Sequence, residues 1–300
     1  MASAREMRLR IKSVANIAQV TRALQAVSAS RIRRAQQAVL ATRPYADKAW
    51  HVLQHLAVQA GRDFIHPLLA EREQVRQILV LMISGDRGLA GAYNSGIVRY
   101  TLDTFAAAPA PIHFAVVGRK GRDMLNRRRM PILAEFSGLP DPPAFADVSA
   151  VGQLVVEEYL QGRADRVYLA YTDFVNLLRQ VPTHRQLLPL ELYAPDISSP
   201  TTARLAPEEA VAYTYEPSEA GLIEQIVPRF TALQIFQAVL ESQASEHAAR
   251  MVAMRNATEN ANELVGSLRL HYNKARQQAI TSDMLDIAGG AEALAQASGS

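Results

Sequence analysis

A glycine-rich turn after a buried strand often seats a nucleotide phosphate, because backbone N–H groups can close on its oxygens. The segment "ISGDRGLAGAYNSG" (Ile83 to Gly96) has that character. It follows the apolar run "QILVLMI" and holds Gly85, Gly88, Gly91 and Gly96. The spacing argues otherwise. A P-loop needs GxxxxGK[ST], with the lysine on the phosphates and the hydroxyl on magnesium. Here the glycines run GxxGxxG, and no Lys-Ser or Lys-Thr follows. Asp86 and Arg87 stand where a dinucleotide fingerprint would place its second glycine. The better reading is a tight strand-to-helix turn, with Asn94 or Ser95 capping the helix.

Other chemistry-bearing patterns are weaker. His51 and His55 lie at i, i+4 with His66 beyond, but "HVLQH" lacks the glutamate of HExxH, so exposed helix histidines are expected. There is no cysteine, which excludes disulfides, thiolate-bound metals and thiol catalysis. No GxSxG elbow occurs, and no isolated carboxylate pair in an apolar context. "VGRKGRD" with "NRRRM" forms a basic patch, but no aromatic residues interleave with it, so a solvated helix face is preferred to a nucleic-acid grip. No catalytic, cofactor-binding or metal-binding residue is assigned.

Composition describes a globular chain of one or two domains: 300 residues, 49% hydrophobic and 20% charged. The longest apolar run, near Ile78 to Ile83, is far short of the ~20 residues of a membrane span. "MASAREMRLRIK" lacks the apolar centre of a secretory signal and reads as mature structure. The net charge of +3 is unevenly spread: before Asp47 the basic residues Arg5, Arg8, Arg10, Lys12, Arg22, Arg31, Arg33, Arg34 and Arg43 face only Glu6. Such a lobe seeks an acidic partner.

The elements that must position these residues follow from periodicity. Met7, Ile11, Val14, Ile17, Val20, Leu24 and Val27 draw one helical stripe, and Pro44 predicts a kink in a helix that resumes to Gly61. The middle alternates. Strands are expected at Gln77–Ser84, "PIHFAVVG", "DRVYLAYTDF" and "QVPTHRQLLPLEL", with helices near Asn94–Ala107, "RKGRDMLNRRR" and Asp147–Gln161. That alternation predicts an open α/β sheet. "APDISSPTTARLAPEEA" reads as a linker.

After Pro228 a helical pattern runs to about Ile287 through Phe230, Leu233, Gln237, Leu240, Ala244, His247, Met251, Met254, Thr258, Ala261, Val265, Leu268, Tyr272, Ala275 and Ala279. Gly289-Gly290 is expected to stop it. Two long terminal helices with exposed seams are expected to pair as an antiparallel coiled coil. The C-terminal helix is polar on every side, which suits a surface that slides against a surrounding partner.

At these residues the sequence resembles the gamma subunit of F-type ATP synthase. The likeness rests on "RLRIKSVANIAQVTRALQAVSASRIRRAQQA", "SGDRGLAGAYNS", "VGRKGRD", "DRVYLAYTDF", "QLLPL" and "YTYEP". The most specific block runs from Ser245 to Leu294 and includes "ITSDMLDIAGGA". Three departures stand out: Leu24 and Gln25 where the family usually has methionine and glutamate, Asp283 for its signature glutamate, and Ala90 for its common cysteine. The last argues against the thiol-regulated plant form.

The resemblance implies a central rotor of bacterial type that does no bond chemistry. Its fold would be α/β: a long antiparallel coiled coil of N- and C-terminal helices flanking a Rossmann-like open α/β domain. The parts would be a shaft helix at 1–62, the α/β domain at 75–200, a second shaft helix at 207–288 and a tail at 289–300. Implied partners are the alpha and beta subunits of the catalytic ring, the epsilon subunit and the c-subunit ring, with membrane contact only through partners on the cytoplasmic side. Carried over by motif, Arg22, Leu24, Gln25, Arg250, Arg276, Gln277, Thr281 and Asp283 would touch the ring, and Tyr213, Tyr215 and Glu216 the epsilon subunit and c ring. Two rival readings are a nucleotide-binding enzyme using the Gly85–Gly91 turn and a coiled-coil nucleic-acid binder using the basic first helix. The acidic residues of the last helix and the absence of aromatic platforms argue against the second.

Overall fold

The computed structural model describes residues 4–59, 67–190 and 219–298. In chain order the elements are α1 (Ala4–Gln59), β1 (Ile78–Ile83), α2 (Tyr93–Thr104), β2 (Ile112–Val117), α3 (Arg119–Arg127), β3 (Ile132–Phe136), α4 (Phe145–Leu160), β4 (Arg166–Phe174), β5 (Gln180–Leu188) and α5 (Glu219–Ser298). The chain divides into two compact units: Met1–Val27 with Met251–Ser300, and Ser28–Arg250. The expected linker lies outside the described residues.

The larger unit is built on a five-stranded sheet in the order β3-β2-β1-β4-β5. β1 pairs in parallel with β2 and β4, β2 with β3, and only β5 runs antiparallel, against β4. The alternation of β1 explains its unbroken apolar run. Leu79, Leu81 and Ile83 face a core completed by Val151 and Val155 of α4 and Val227 to Leu240 of α5. Ile78, Val80 and Met82 face a second core with Ile97 and Val98 of α2 and Leu125 of α3. A strand covered on both faces has no polar position to offer. α4 and α5 approach closely because Gly152 lacks a side chain: a Cβ there would lie 2.9 Å from the Ala232 Cβ.

β3 was not expected from the sequence. Its "ILAEF" alternates half-buried and exposed positions at the sheet edge, so it carries no continuous apolar signal. β5 tolerates Pro182 for the related reason that it is the other edge. Asp165, just before β4, anchors the strand entrance. Its Oδ2 accepts the Arg76 and Gln77 N–H groups at 2.7 and 3.0 Å, and its Oδ1 accepts Arg72 Nη1 at 2.9 Å. Burial pushes this carboxyl up, but the two backbone donors and the guanidinium prevail and hold it below its ordinary value.

The smaller unit pairs the start of α1 with the last part of α5. The hydroxyl oxygens of Thr21 and Thr258 meet at 2.6 Å. Seventeen residues before Thr21 is Ala4, the first residue of α1; seventeen after Thr258 is Ala275, the last residue of α5 with partial cover. From Arg276 to Ala291 every residue is exposed. Equal spans on opposite sides of one contact are what antiparallel pairing requires, so the coiled coil is antiparallel.

Three sequence expectations are corrected here. α5 continues through Gly289-Gly290 to Ser298, since an exposed glycine weakens a helix by only about 1 kcal/mol. It also begins at Glu219, ahead of Pro228, which sits inside it. The N-terminal seam is displaced: Ala18, Thr21 and Ser28 are buried, whereas Ile17, Val20 and Val27 stand about half exposed or more. Met7, Ile11, Val14, Ala18, Thr21, Gln25 and Ser28 step by four and three, the heptad of a coiled coil. From Ala18 onward small and polar residues hold the α1 side of the seam, while Ile17, Val20 and Val27 face away.

Candidate functional site

The glycine turn is occupied by the chain's own side chains. Asp86 places its carboxylate at the N-terminus of α3, accepting the Arg119 N–H at 2.9 Å and the Gly138 N–H at 2.7 Å. A helix N-terminus favours an anion, and here the protein supplies it. Asn94 does not cap α2 as expected. The residue before the helix is Ala92, without a side-chain cap, and Asn94 reaches back to accept the Gly85 N–H at 2.8 Å while donating to Arg87 O at 3.2 Å. Ser95 donates to Ala92 O at 3.1 Å.

Two glycines here lie in close quarters, and Gly118 is required by its backbone. A Cβ on Gly85 would stand 2.7 Å from the Glu246 carboxyl carbon of α5. Gly118 has φ +98°, and a Cβ there would lie 2.2 Å from Ser84 O. Ser84 closes the corner by donating from Oγ to Val117 O at 3.0 Å and accepting the Gly121 N–H at 2.9 Å. The turn thus receives α5. Arg250 pairs with Glu246 one helical turn away and donates to Gly88 O at 3.2 Å. Burial, reinforced by the nearby Glu246 carboxylate, pushes the Tyr93 hydroxyl far up, so it stays protonated.

Above the corner a cavity of ≈ 250 Å³ opens at the carboxyl ends of β1, β2 and β3, lined by Arg31, Arg87, Arg119, Asp141, His247 and Arg250 among others. It is the usual place for a ligand in an open α/β sheet. Here, however, the carboxylates of Asp86, Asp141 and Glu246 already engage Arg119, Arg31 and Arg250. The basic patch of α3 is partly neutralised too: Arg122 bridges Asp123 at 2.8 Å and Glu135 at 2.7 Å. The side chains of His51 and His55, and His66 altogether, lie outside the described residues.

The expected partner-contact residues fall into separate groups. Arg22 is exposed, while Leu24 and Gln25 are half-buried beside the seam. Arg276, Gln277, Thr281 and Asp283 are all exposed, on the part of α5 that extends beyond its pairing with α1. Arg250 differs: it belongs to the larger unit and its side chain is only 13% exposed, committed to Glu246 and the glycine turn. Tyr213, Tyr215 and Glu216 lie outside the described residues. Around the first two groups stand exposed aliphatic side chains: Leu9, Ile17, Val20 and Val27 on α1, and Ile280, Met284, Leu285 and Ile287 on α5. Sequence reasoning assigned Ile17, Val20 and Val27 to the seam, and missed Asp86 and Glu246. The i, i+4 spacing of Glu246 and Arg250 was a readable signal for their pair. Nothing in the sequence brings Asp86 to Gly138.

Comparison with known proteins agrees with this geometry. A family model described as ATP synthase matches residues 3–294. The ATP synthase gamma chain of Dehalococcoides mccartyi (strain CBDB1) is 43% identical, over 98% of this chain and 100% of its own length. That of Chloroflexus aurantiacus (strain ATCC 29366 / DSM 635 / J-10-fl) is 44% identical over 98% and 99%. Among solved structures, the central stalk and c ring of the Tetrahymena thermophila mitochondrial ATP synthase matches with a TM-score of 0.59 at 25% identity, over 79% of this chain and 99% of its own. The Euglena gracilis mitochondrial complex matches in fold, with a TM-score of 0.67 at 21% identity over 97% and 94%. With a family model spanning nearly the whole chain and full-length relatives above 40% identity, the chain belongs to the ATP synthase gamma-chain family.

Proposed function

We propose that this central-stalk subunit of ATP synthase carries torque between the c ring and the catalytic ring without itself making or breaking a bond. The observation that carries the reading is the set of exposed aliphatic side chains on both helices of the coil, Leu9, Ile17, Val20 and Val27 on α1 and Ile280, Met284, Leu285 and Ile287 on α5, outside a seam that buries Ala18, Thr21, Ser28, Met254, Thr258, Ala261 and Val265. Clusters of exposed aliphatic side chains mark a contact with another macromolecule. Polar and charged residues interspersed along them suit contacts that form and break as a shaft turns, since exposed ion pairs contribute only about 0–1 kcal/mol each.

On this reading Arg22, Leu24 and Gln25 and the exposed set Arg276, Gln277, Thr281 and Asp283 face the alpha and beta subunits. Tyr213, Tyr215 and Glu216 belong to the contact with the epsilon subunit and c ring. The α/β domain, at 75–200, is the body through which the rotor receives its torque. No helix among the described residues is long and apolar enough to cross a membrane. On this reading the chain is held at the cytoplasmic face of the membrane by its partners. The self-occupied glycine turn speaks against the nucleotide-binding alternative.

Co-expression with the two large ring subunits tests the reading. The chain is expected to co-purify with them, and truncation after Asn273 is expected to abolish ATP-driven proton transport by the reconstituted complex. Recovery of the chain as an active monomeric enzyme, or a truncated complex that pumps normally, would overturn it.

A further inference from the structure

Rotary coupling places a particular demand on the larger unit, where α1 and α5 leave the sheet. Apolar packing there is extensive, with Val39 of α1 and Val227 to Leu240 of α5 in the sheet's core. Such packing resists separation, but it is non-directional and opposes the turning of a helix about its own axis only through interlocking side chains. Directional, charge-assisted bonds add a geometrically specific restraint on azimuth to that interlocking.

One carboxylate reaches both helices, with a charge-assisted bond to α1 and a close polar contact to α5. Asp141, in the loop between β3 and α4, accepts from Arg31 Nη1 of α1 at 3.0 Å through its Oδ2. The same Oδ2 lies 2.9 Å from His247 Nε2 of α5, an approach off the axis of an ideal hydrogen bond. His247 is buried, with 5% of its side chain exposed, whereas Arg31 is 44% exposed. The chain of contacts continues along α5. His247 Nδ1 faces Arg250 Nη1 at 3.4 Å, and Arg250 holds Glu246 and Gly88 O. In the same loop, Pro140 O accepts from Gln243 Nε2 at 3.0 Å. Arg31 and His247 each stand within one helical turn of the unit's boundaries at Ser28 and Arg250.

We infer that Asp141 is a positioning residue for rotary coupling, locking the azimuth of both terminal helices to the α/β body so that torque on the body turns the two helices together. This inference rests on the rotor reading. Burial raises the Asp141 carboxyl, while His247 and Arg31 lower it more, so that its net value falls below the ordinary one and the group stays ionised at neutral pH.

The test uses the complete ATP synthase, reconstituted into vesicles, carrying Asp141→Asn or Arg31→Gln. Arg31 is exposed enough that its replacement leaves the fold intact, which keeps the test valid if the Asp141 variant assembles poorly. ATP hydrolysis and ATP-driven proton uptake are measured on the same vesicles, and stall torque on single rotating complexes. Hydrolysis is expected to persist, while protons moved per ATP and stall torque fall roughly two- to five-fold, the scale set by losing one partly exposed ion pair. Replacing Arg31 by lysine, which keeps the charge, should restore part of the loss. An unchanged ratio and torque in the Arg31→Gln complex would overturn the inference. Failure of the unmodified chain to assemble would instead overturn the rotor reading, so the two failures are distinguishable.

Discussion

In the α/β body, β1 points Leu79, Leu81 and Ile83 to one side and Ile78, Val80 and Met82 to the other, and none is more than 2% exposed. In the coiled coil, Ile17 and Val20 stand 51% and 59% exposed while their neighbours Ala18 and Thr21 are buried. The same residue types thus do opposite things in one chain. The body is stabilised by its own large aliphatic residues. The coil leaves many of them on its outside, and its seam mixes Ala18, Thr21, Ser28 and Thr258 with Met254 and Val265. The contrast teaches that the same residue types can build a core in one unit and a surface in the other, the feature on which the proposed rotor contacts rest.

The largest effect expected is in the body. Leu81→Ala leaves a cavity between the sheet and its helices and should cost about 2–5 kcal/mol, read as an early thermal unfolding of the larger unit. If it cost no more than a surface change, the contrast between the units would collapse. Overpacking the seam comes next. Ala18→Leu forces a large side chain into the helix pair and should cost about 1–3 kcal/mol, visible as selective loss of helicity on heating.

A pH experiment separates the units differently. Asp165 and Asp141, both in the body, have values depressed below the ordinary 3.8. A depressed carboxyl contributes stability that is present above the unfolded value and lost as pH falls through the folded one. Unfolding of the body should therefore be promoted as pH drops below about 3.8, and Asp165→Asn should flatten that dependence in melts recorded from pH 7 to 3. Unchanged steepness in the variant would show that other carboxylates govern it. The smallest effect on the isolated chain is expected for Ile17→Ser, within about 0.5 kcal/mol, because an exposed side chain loses little on replacement. In the assembled complex the same change should lower the rate of coupled turnover, which sharpens the contrast.

Much of the body was legible in the sequence. β1, β2 and β4 announce themselves as apolar runs between turn residues, and α4 shows helical spacing. β3 was not legible, because an edge strand such as "ILAEF" needs only one half-buried face. The coil was legible as a pair of long helices, and its facing was legible on α5, where Met254, Thr258, Ala261 and Val265 are buried as expected, but not on α1 beyond Val14. Hydrophobicity picks Ile17, Val20 and Val27, whereas the observed seam uses Ala18, Thr21 and Ser28. No hydrophobic scale prefers those residues, and only the geometry of two helices in close approach does.

The sequence by itself determined the secondary structure of most of the chain, the α/β class, the pairing of the terminal helices and the family. Each depends on short-range periodicity or on motifs read within a few dozen residues. Tertiary structure decided the rest. Asp86 fills the anion seat through contacts 33 and 52 residues away. Asp141 ties down Arg31 and His247, which lie more than one hundred residues to either side. Such contacts arise when folding desolvates a charge and leaves it to the donors that the chain path brings near. The glycine turn shows the difference: its spacing excluded a P-loop, and only the fold showed that a carboxylate of the turn itself takes the place a phosphate would have taken.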